Sequence, residues 1–230
     1  MNYKLNIHPQ IQEQYPNYSA LIIYANGLIN APSDDYSTKL LRQAEEKQRQ
    51  IFGNDKPSSH SHIAAWREVF KGFGANSSKY LCSVEALLSR TLKGNYLPTI
   101  NRFVDIYNAV SINHLIPIGG EDLDQLTSDL TLQIATGKEH FITYQNGQEI
   151  IENPKPNEVI WADNSGVTCR RWNWRQCHRT ALTINTSNAY FVLDILPPYS
   201  IKQLMDAGNE LIQHLKYYCP NCNITQNVLS

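Results

Sequence analysis

The amino-acid sequence predicts an α+β fold in which layered β-sheets are covered by helices. Helical periodicity dominates the first half of the chain, whereas short apolar or alternating runs dominate the second half. Glycines and prolines are dispersed between these segments, and no internal repeat is present. Helices that cluster first and strands that cluster later are typical of this fold class.

The first half is expected to hold one buried strand and four helices. The strand, from Ser19 to Asn26, is an apolar run that ends at Gly27. Each helix has an apolar face and a capping residue, a proline or a glycine near one end. The helices are expected from Tyr36 to Phe52 after a cap at Ser33, Asp34 or Asp35, from about Ile63 to Gly74, from Ser83 to Gly94, and from Pro98 onward with Ile100, Phe103, Val104 and Tyr107 inward.

The second half is expected to hold short strands and one last helix. Asn146 and Gly147 form a dipeptide that strongly indicates a hairpin turn, since both residues accept positive φ. The last helix is expected from Ile201 to about Tyr217. The strands are expected at Leu130 to Ala135, Phe141 to Tyr144, Val159 to Ala162, Val167 to Arg171, Ala181 to Thr186 and Tyr190 to Ile195.

Length and charge set broad limits on function. The 230 residues are expected to form one continuous domain, with a core at about residues 19–217 and a C-terminal tail at 218–230. Twenty Lys and Arg against 21 Asp and Glu exclude a generally basic nucleic-acid coat protein, so a polyanion site must be a local patch. No run is apolar enough for a membrane span, no signal peptide is recognisable, and the five cysteines are irregularly spaced. We therefore expect a cytoplasmic protein with reduced thiols and no membrane partner, and leave its oligomeric state open.

The most unusual segment is CRRWNWRQCHRT, from Cys169 to Thr180, which contains four Arg and two Trp. Guanidinium groups pair with phosphate or carboxylate, and indoles stack on bases or wall an apolar pocket, so the segment suits a nucleotide-bearing ligand. The alternative is a sheet edge where Arg stems cover Trp faces. In a regular strand, one face would present Arg171, Asn173 and Arg175, and the other Arg170, Trp172, Trp174 and Gln176.

The second segment of interest runs from Leu97 to Leu126. Asn101, Asp105 and Asn108 recur at helical spacing and form either a hydrogen-bonding stripe or a solvated helix face. After Pro117, the pair Gly119-Gly120 could aim backbone N–H groups at an oxyanion, with positive φ in at least one of them.

Glu121 and Asp122 are expected to start the next helix, which makes a plain strand-to-helix turn the alternative interpretation of this glycine pair.

No motif indicates a metal or a cofactor. Among the histidines only His178, within the Arg/Trp segment, has neighbours that suit catalysis. Cys219 and Cys222 have the spacing of half a zinc site or of a redox pair, but no second pair follows. We expect these cysteines to lie in a frayed C-terminus, and predict that no metal or cofactor is needed.

Several of these residues also form a longer pattern. Ile100 to Asn108 reads I-N-x-x-V-D-x-x-N, and Pro117, Asp122, Ala135 to Glu139, and Ala162-Asp163 follow in order. In this the chain resembles the B3/B4 domain, the editing domain of the bacterial phenylalanyl-tRNA synthetase β chain. It resembles the free-standing relatives of that domain further, through HIAAWREVFKGFG, SVEALLSRTLKGNYLPTIN and RRWNWRQ, so the resemblance covers nearly the whole chain from about residue 20.

The resemblance implies β/β/α layers and hydrolysis of the ester between a tRNA 3′ end and a wrongly attached amino acid. The partner would then be tRNA, and positioning of an already activated ester could suffice for catalysis. Under this interpretation Gly119 and Gly120 contact the oxyanion, Asn108 and Gln176 the water or the α-amino group, Trp172, Asn173 and Trp174 the substrate as pocket wall or adenine contacts, and Arg171 and Arg175 the phosphates.

One departure from the family pattern bears on the substrate. Where the synthetase domain has a His two residues after the Pro, this chain has Gly119, and the G-G-E turn is replaced by the segment around Gln176. We therefore expect a substrate other than Tyr-tRNA, and expect Gly119→His to block the pocket. Free-standing relatives are linked to tRNA charged with an arginine analogue such as canavanine, for which Glu85, Glu121 and Asp122 are the candidate acidic contacts.

Two other classes of function stay open at this point. The lack of an obvious acid–base pair favours a non-catalytic module that binds aminoacyl-tRNA or a free amino acid. The balanced charge also permits a small-molecule sensor or a protein-interaction domain.

Overall fold

Three β-sheets and six α-helices are present in the computed structural model, which describes residues 3–145 and 147–230. The fold is α+β, as the sequence predicts. Asn146 lies outside the described residues, but the two strands beside it pair with each other, and Gly147 has a φ of 78°.

The helices are α1 Pro9–Gln14, α2 Asp35–Phe52, α3 Ser61–Gly72, α4 Ser83–Leu92, α5 Arg102–His114 and α6 Ile201–Tyr218. The strands are β1 Leu5–Ile7, β2 Ser19–Asn26, β3 Ile118–Asp122, β4 Leu130–Ile134, β5 Phe141–Gln145, β6 Gln148–Glu152, β7 Val159–Asp163, β8 Gly166–Arg170, β9 Arg175–Gln176, β10 Asn188–Ile195 and β11 Asn223–Leu229.

Two larger sheets and one helical layer form the framework. The four-stranded sheet has the order β11-β2-β10-β3 and is antiparallel throughout, and the five-stranded sheet has the order β1-β4-β7-β8-β9. Because side chains alternate along a strand, Tyr190 and Val192 of β10 pack toward the five-stranded sheet, while Phe191 and Leu193 pack with α5 and α6. The resulting layers are β/β/α.

Local sequence explains where the main helices begin and how one of them approaches the sheet. The Asp34 carboxylate accepts a hydrogen bond from the Ser37 N–H at 3.0 Å and caps α2. The Asn101 side-chain oxygen accepts a hydrogen bond from the Val104 N–H at 3.1 Å and caps α5. A Cβ at Gly208 of α6 would lie 2.2 Å from a methyl carbon of Leu21, so only glycine permits this approach.

Both ends of the chain belong to the sheets, contrary to expectation. The tail expected at 218–230 contains β11, which pairs with β2 from Asn223 to Leu229. Near the other end, β1 pairs with β4, and Leu5 and Ile11 are buried in the core. Both strands are short or half-polar edge strands, and such strands carry a weak hydrophobic signal.

Three internal expectations were also wrong. Glu121 and Asp122 end β3 and start no α-helix, because Gly119 and Gly120 pair with β10 as regular strand residues; only a short 3-10 helix, Leu123–Gln125, follows, with Asp122 as its N-cap. Ala181 to Thr186 is a turn with a single bridge to Glu121, and the Thr186 hydroxyl accepts the Thr183 N–H at 3.0 Å. The predicted inward residue Ile100 precedes α5 and is 58% exposed.

Candidate functional site

A cavity of about 240 Å³ opens between the two larger sheets. Alternate residues of β3 and β10 form one wall, while β7, β8 and the turn from β8 to β9 form the opposite wall. The first turn of α4 and the middle of α5 complete the lining. Site residues thus come from both sheets and two helices, which is the arrangement typical of a ligand pocket.

Asp194 of β10 lies in the wall of this cavity and is fully enclosed by protein. One carboxylate oxygen accepts a hydrogen bond from the Tyr18 hydroxyl at 2.6 Å, and the other accepts one from the Asn173 amide at 3.0 Å. Burial raises the pKa of Asp194 to about 6, although both hydrogen bonds lower it. Each oxygen retains a free lone pair, so the carboxylate can still accept a proton or a hydrogen bond from a ligand.

Glu121 of β3 supplies a second buried carboxyl to the cavity wall. It accepts hydrogen bonds from the Thr180 hydroxyl at 2.8 Å and from the Tyr190 hydroxyl. Burial raises its pKa, and the two hydroxyl hydrogen bonds oppose that effect. Cys169, also in the wall, has a pKa raised well above its usual value by burial and by these two carboxyls. A thiol in that state is a poor nucleophile.

The Arg/Trp segment does not continue as a strand past Arg170. Arg171 and Trp172 have φ values of 47° and 66°, so the chain turns sharply before β9 returns to pair with β8. The Trp172 N–H donates to the Val159 carbonyl at 2.7 Å, and the Trp174 N–H donates to the Arg170 carbonyl at 3.1 Å. The expected division of this segment into two alternating faces is therefore wrong.

This turn places the two tryptophans differently. Trp172 is fully buried, with Tyr15 and Tyr18 in edge contact at ring distances of 4.9 and 4.7 Å, and one side of it reaches the cavity wall. Trp174 is partly exposed beside Arg175 at the cavity. The Asn173 carbonyl accepts the Ser83 N–H at 3.0 Å and thereby ties the turn to the start of α4.

Gly119 lies against the side chain of Gln176. A Cβ at Gly119 would lie 2.8 Å from the Gln176 amide nitrogen, which itself donates to the Gly120 carbonyl at 3.3 Å. Neither Gly119 nor Gly120 is among the residues with positive φ, so that expectation is wrong. The Asp122 N–H and the Gly120 carbonyl both point away from β10. Because the N–H and the carbonyl of one residue point to the same side in an antiparallel strand, the Gly120 N–H also points away from β10.

The structure brings together most of the residues that the sequence suggested. The cavity lining includes Asn108, Gly119, Glu121, Trp172, Asn173, Trp174, Arg175 and Gln176. Gly120 lies next to this wall with its carbonyl on Gln176.

Besides Gly120, three suggested residues do not lie in the cavity wall. Glu85 pairs with Arg67 at 2.5 Å on the other side of α4, and Asp122 accepts the Thr186 hydroxyl at 2.7 Å. Arg171 is buried and pairs with Glu158 at 3.4 Å, so the expectation that it contacts phosphate is wrong. In each case the charged group already has a local partner, which the sequence does not reveal.

Sequence reasoning missed Asp194, Tyr18 and Tyr190. One signal was available for Asp194, because it interrupts the apolar run AYFVLDIL of a strand that must be buried. An inward carboxylate in such a strand is costly to bury and needs a structural or functional reason.

The cavity wall contains hydrogen-bond donors, such as the Arg175 guanidinium and the Trp172 Nε1–H, and a set of buried acceptors. Besides the two carboxyls, the side-chain oxygens of Ser83 and Asn173 are buried and have no hydrogen-bond partner among the residues that the structure describes. The remaining lining is largely apolar and aromatic. Such a site fits a ligand that is rich in hydrogen-bond donors, such as an ammonium or guanidinium group with an aliphatic stem.

Residues 3–145 and 147–230 contain neither a candidate metal site nor a membrane-spanning helix. In those ranges no three His, Cys, Asp or Glu side chains cluster as metal ligands, and no helix is long and apolar enough to cross a bilayer. Cys219 and Cys222 are both buried, and the Cys222 N–H donates to the Cys219 carbonyl at 3.0 Å. Their expected place in a frayed terminus is wrong, while the prediction that no metal is needed stays a prediction.

Comparisons with known proteins agree with this architecture. An N-terminal fragment of the phenylalanyl-tRNA synthetase β-subunit from Pyrococcus horikoshii has a similar structure, with a TM-score of 0.50 and 12% identity. The similarity spans the whole of this chain and 55% of that fragment, so this chain corresponds to about half of it. A search of curated proteins gave no match. The B3/4 domain family matches residues 65–209, which include both cavity carboxyls and the Arg/Trp segment, and the chain therefore belongs to the B3/4 domain family.

Proposed function

We propose that the protein hydrolyses the ester bond of a mischarged aminoacyl-tRNA. The observation that carries this proposal is the cavity between the sheets, where a buried carboxylate with a pKa near neutrality lies beside hydrogen-bond donors and an aromatic wall. Membership of the B3/4 family, whose domain in the synthetase β chain is associated with tRNA editing, supports the same reaction.

Asp194 is the proposed general base. At neutral pH a carboxyl with a pKa of about 6 is mostly ionised, yet basic enough to accept a proton from water. The water oxygen then bonds to the ester carbonyl carbon, and the oxyanion that forms is stabilised by the Gly120 N–H. When the carbon–oxygen ester bond breaks, the proton passes from Asp194 to the departing ribose oxygen, which yields free amino acid and uncharged tRNA.

The other cavity residues are assigned to binding. Asn108 and Gln176 are proposed to contact the α-amino group or the attacking water, and Trp174 the adenine, with Arg175 near the terminal phosphates. Glu121, with the unpartnered oxygens of Ser83 and Asn173, supplies acceptors for the amino-acid side chain. This favours a cationic side chain, and tRNA charged with an arginine analogue such as canavanine is the proposed substrate.

A non-catalytic module that binds aminoacyl-tRNA is the second candidate. The buried acceptors of the cavity would hold a cationic amino acid in either case. The two candidates differ in whether Asp194 is needed for turnover or only for binding.

The deciding experiment incubates the protein with tRNAs mischarged with canavanine, arginine, lysine or tyrosine and follows loss of the ester. We expect faster loss with a cationic amino acid, and a decrease of about 100-fold or more for Asp194→Asn, as for loss of a general base. The control is Asp206→Asn, which changes a half-exposed carboxylate on α6 that pairs with Lys202. A protein that binds these tRNAs and protects their esters would contradict hydrolysis and favour the binding module.

A further inference from the structure

The surface beyond the cavity carries a basic and aromatic group of side chains, here named the Tyr96 patch: Arg42, Arg49, Arg90, Lys93 and Tyr96. The Tyr96 ring is 62% exposed. The guanidinium carbons of Arg42 and Arg49 lie 4.8 and 5.1 Å from its centroid, and Arg90 donates to its backbone carbonyl at 3.0 Å. Two guanidinium groups therefore lie against one exposed ring, and a third is bonded to its backbone.

The Tyr96 patch is positively charged on a chain whose formal net charge is −1. Glu45, which is buried, pairs with Arg42 at 2.5 Å, and Glu46 pairs with Arg49 at 3.5 Å. Among the ion pairs of residues 3–145 and 147–230, neither Arg90 nor Lys93 has a carboxylate partner. Two cations are thus free to attract an anion.

Helix α4 connects this patch to the cavity. Ser83, Ala86 and Leu87 line the cavity, and Arg90 follows at the spacing that keeps it on the same helix face. Ala86 and Arg90 are exposed, so this face is open between the cavity and the patch. Seven residues of helix separate Ser83 from Arg90 by about 10 Å.

We propose that the Tyr96 patch binds the single-stranded RNA next to the nucleotide held in the cavity. Arg90 and Lys93 contact its phosphates, and a base stacks on the Tyr96 ring, which the neighbouring guanidinium groups hold in place. This inference rests on the proposed function, since it takes the RNA strand to enter that cavity. It assigns to the protein a tRNA contact outside the catalytic pocket.

Arg42 and Arg49 also have a structural role that governs the choice of variants. Arg42 donates to the Leu97 carbonyl at 2.5 Å and Arg49 to the Thr91 carbonyl at 3.1 Å, so both hold the loop after α4. Their removal would alter the fold of that loop. Tyr96, Arg90 and Lys93 are exposed and are the residues to change, with the melting temperature measured because Arg90 also donates to the Tyr96 carbonyl.

The test measures binding of a 5′-fluorescein-labelled tRNA pool to the full-length protein as a function of salt. We expect Tyr96→Ala to weaken binding about tenfold through lost stacking, and Tyr96→Phe to bind like wild type because the ring remains. The double change Arg90→Gln with Lys93→Gln should lower the slope of log K against log salt by about 1.4, as for two single-strand phosphate contacts. Matched controls on α6 are Tyr217→Ala, which removes a ring of 60% exposure, and Lys202→Gln.

Hydrolysis of 2′(3′)-O-aminoacyl-adenosine, which lacks the neighbouring RNA, is measured beside binding. We expect all patch variants to hydrolyse it like wild type while KM for aminoacyl-tRNA rises. If binding by the patch variants equals that of the α6 controls, or if affinity and melting temperature fall together in every patch variant, the inference is overturned. If wild type cleaves no ester but its RNA binding depends on Tyr96, the proposed function fails and the RNA contact stands.

Discussion

Asp194 is completely buried in the wall of the cavity, and its two hydrogen bonds offset the cost of burying its carboxylate. Tyr18 and Asn173 each stabilise one oxygen of the ionised form, so the carboxylate need not rely on a cation. The titratable groups around the same cavity are Tyr107, Glu121, Cys169, Tyr190 and the exposed Arg175, and no cation is among the causes that set the pKa of Asp194. The pKa of Asp194 is therefore set by burial against two neutral donors.

This arrangement predicts the pH dependence of the reaction. In the proposed hydrolysis Asp194 must be ionised to act as the base, so kcat/KM should be at its plateau well above pH 6 and fall as the pH drops through about 6. The Tyr18 hydrogen bond lowers the pKa of Asp194, so Tyr18→Phe should raise that pKa and move the acidic limb of the profile to higher pH. Pre-steady-state or steady-state rates between pH 4.5 and 9 check this, at about half-unit intervals.

The exposed Tyr217→Phe is the matched control and should leave the profile unchanged. A Tyr18→Phe profile that keeps the wild-type midpoint, with an equally active Asp194→Asn variant, would contradict the assignment of the base.

At the scale of elements, the turn between β8 and β9 separates arginines that the sequence groups together. The Arg171 guanidinium lies 3.7 Å from the Tyr80 ring centroid and 4.3 Å from that of Trp174, and it pairs with the buried Glu158. Arg175, four residues later, is exposed at the cavity. The left-handed backbone at the turn directs one arginine inward and leaves the other accessible.

Changing Arg171 should therefore affect stability, whereas changing Arg175 should affect RNA binding. Arg171→Ala is expected to lower the free energy of unfolding by about 2 kcal/mol, because the buried guanidinium that packs over the Tyr80 and Trp174 rings and pairs with Glu158 is lost, with unchanged RNA affinity per folded molecule. Arg175→Ala is expected to keep the melting temperature and to weaken RNA binding with a smaller salt slope. Denaturant melts beside salt titrations of tRNA binding measure both, and an RNA defect confined to Arg171→Ala would reverse the assignment.

The sequence predicts elements well where one signal dominates. The apolar run of β2 and the apolar face of α6 gave boundaries within a residue or so of those in the structure. Prediction failed where tertiary partners decide, as in β3, whose glycines are strand residues only because β10 pairs with them. The half-polar β11 is stabilised by pairing with β2, which the local sequence does not reveal.

The same distinction applies to the candidate site. Segments rich in Arg, Trp, Asn and Gly identified eight of the residues that line the cavity, because those residue types are uncommon together. Asp194, Tyr18 and Asn173 lie far apart in sequence, and their contact follows from the topology alone. Composition can therefore locate a site without identifying its chemically active group.

At the scale of the whole molecule, changing the C-terminal cysteines tests how much their contacts contribute to the stability of the fold. The Cys219 sulfur accepts the Ile29 N–H at 3.2 Å, so it bridges the end of α6 to the loop after β2. We expect Cys219→Ser to cost about 1 kcal/mol of stability, since a smaller polar atom replaces a buried sulfur, and Cys222→Ser to cost less. Melting curves measure this, and elemental analysis of the wild type should find no stoichiometric zinc.

A zinc content near one per chain, lost in both serine variants, would contradict the prediction that the protein needs no metal.

The order of strands in the four-stranded sheet also constrains how the protein is made. Ser19 pairs with Ile195 and Ala20 with Leu229, so the central strand β2 waits for partners that are translated much later. Contacts this distant in sequence slow folding, because a long loop must close before they form. Glu121 and Asp194 reach the same cavity only once β3 and β10 have paired. A chain still emerging from the ribosome, or cut before β10, would therefore have no partial activity, and its exposed β2 would need protection from aggregation until synthesis is complete.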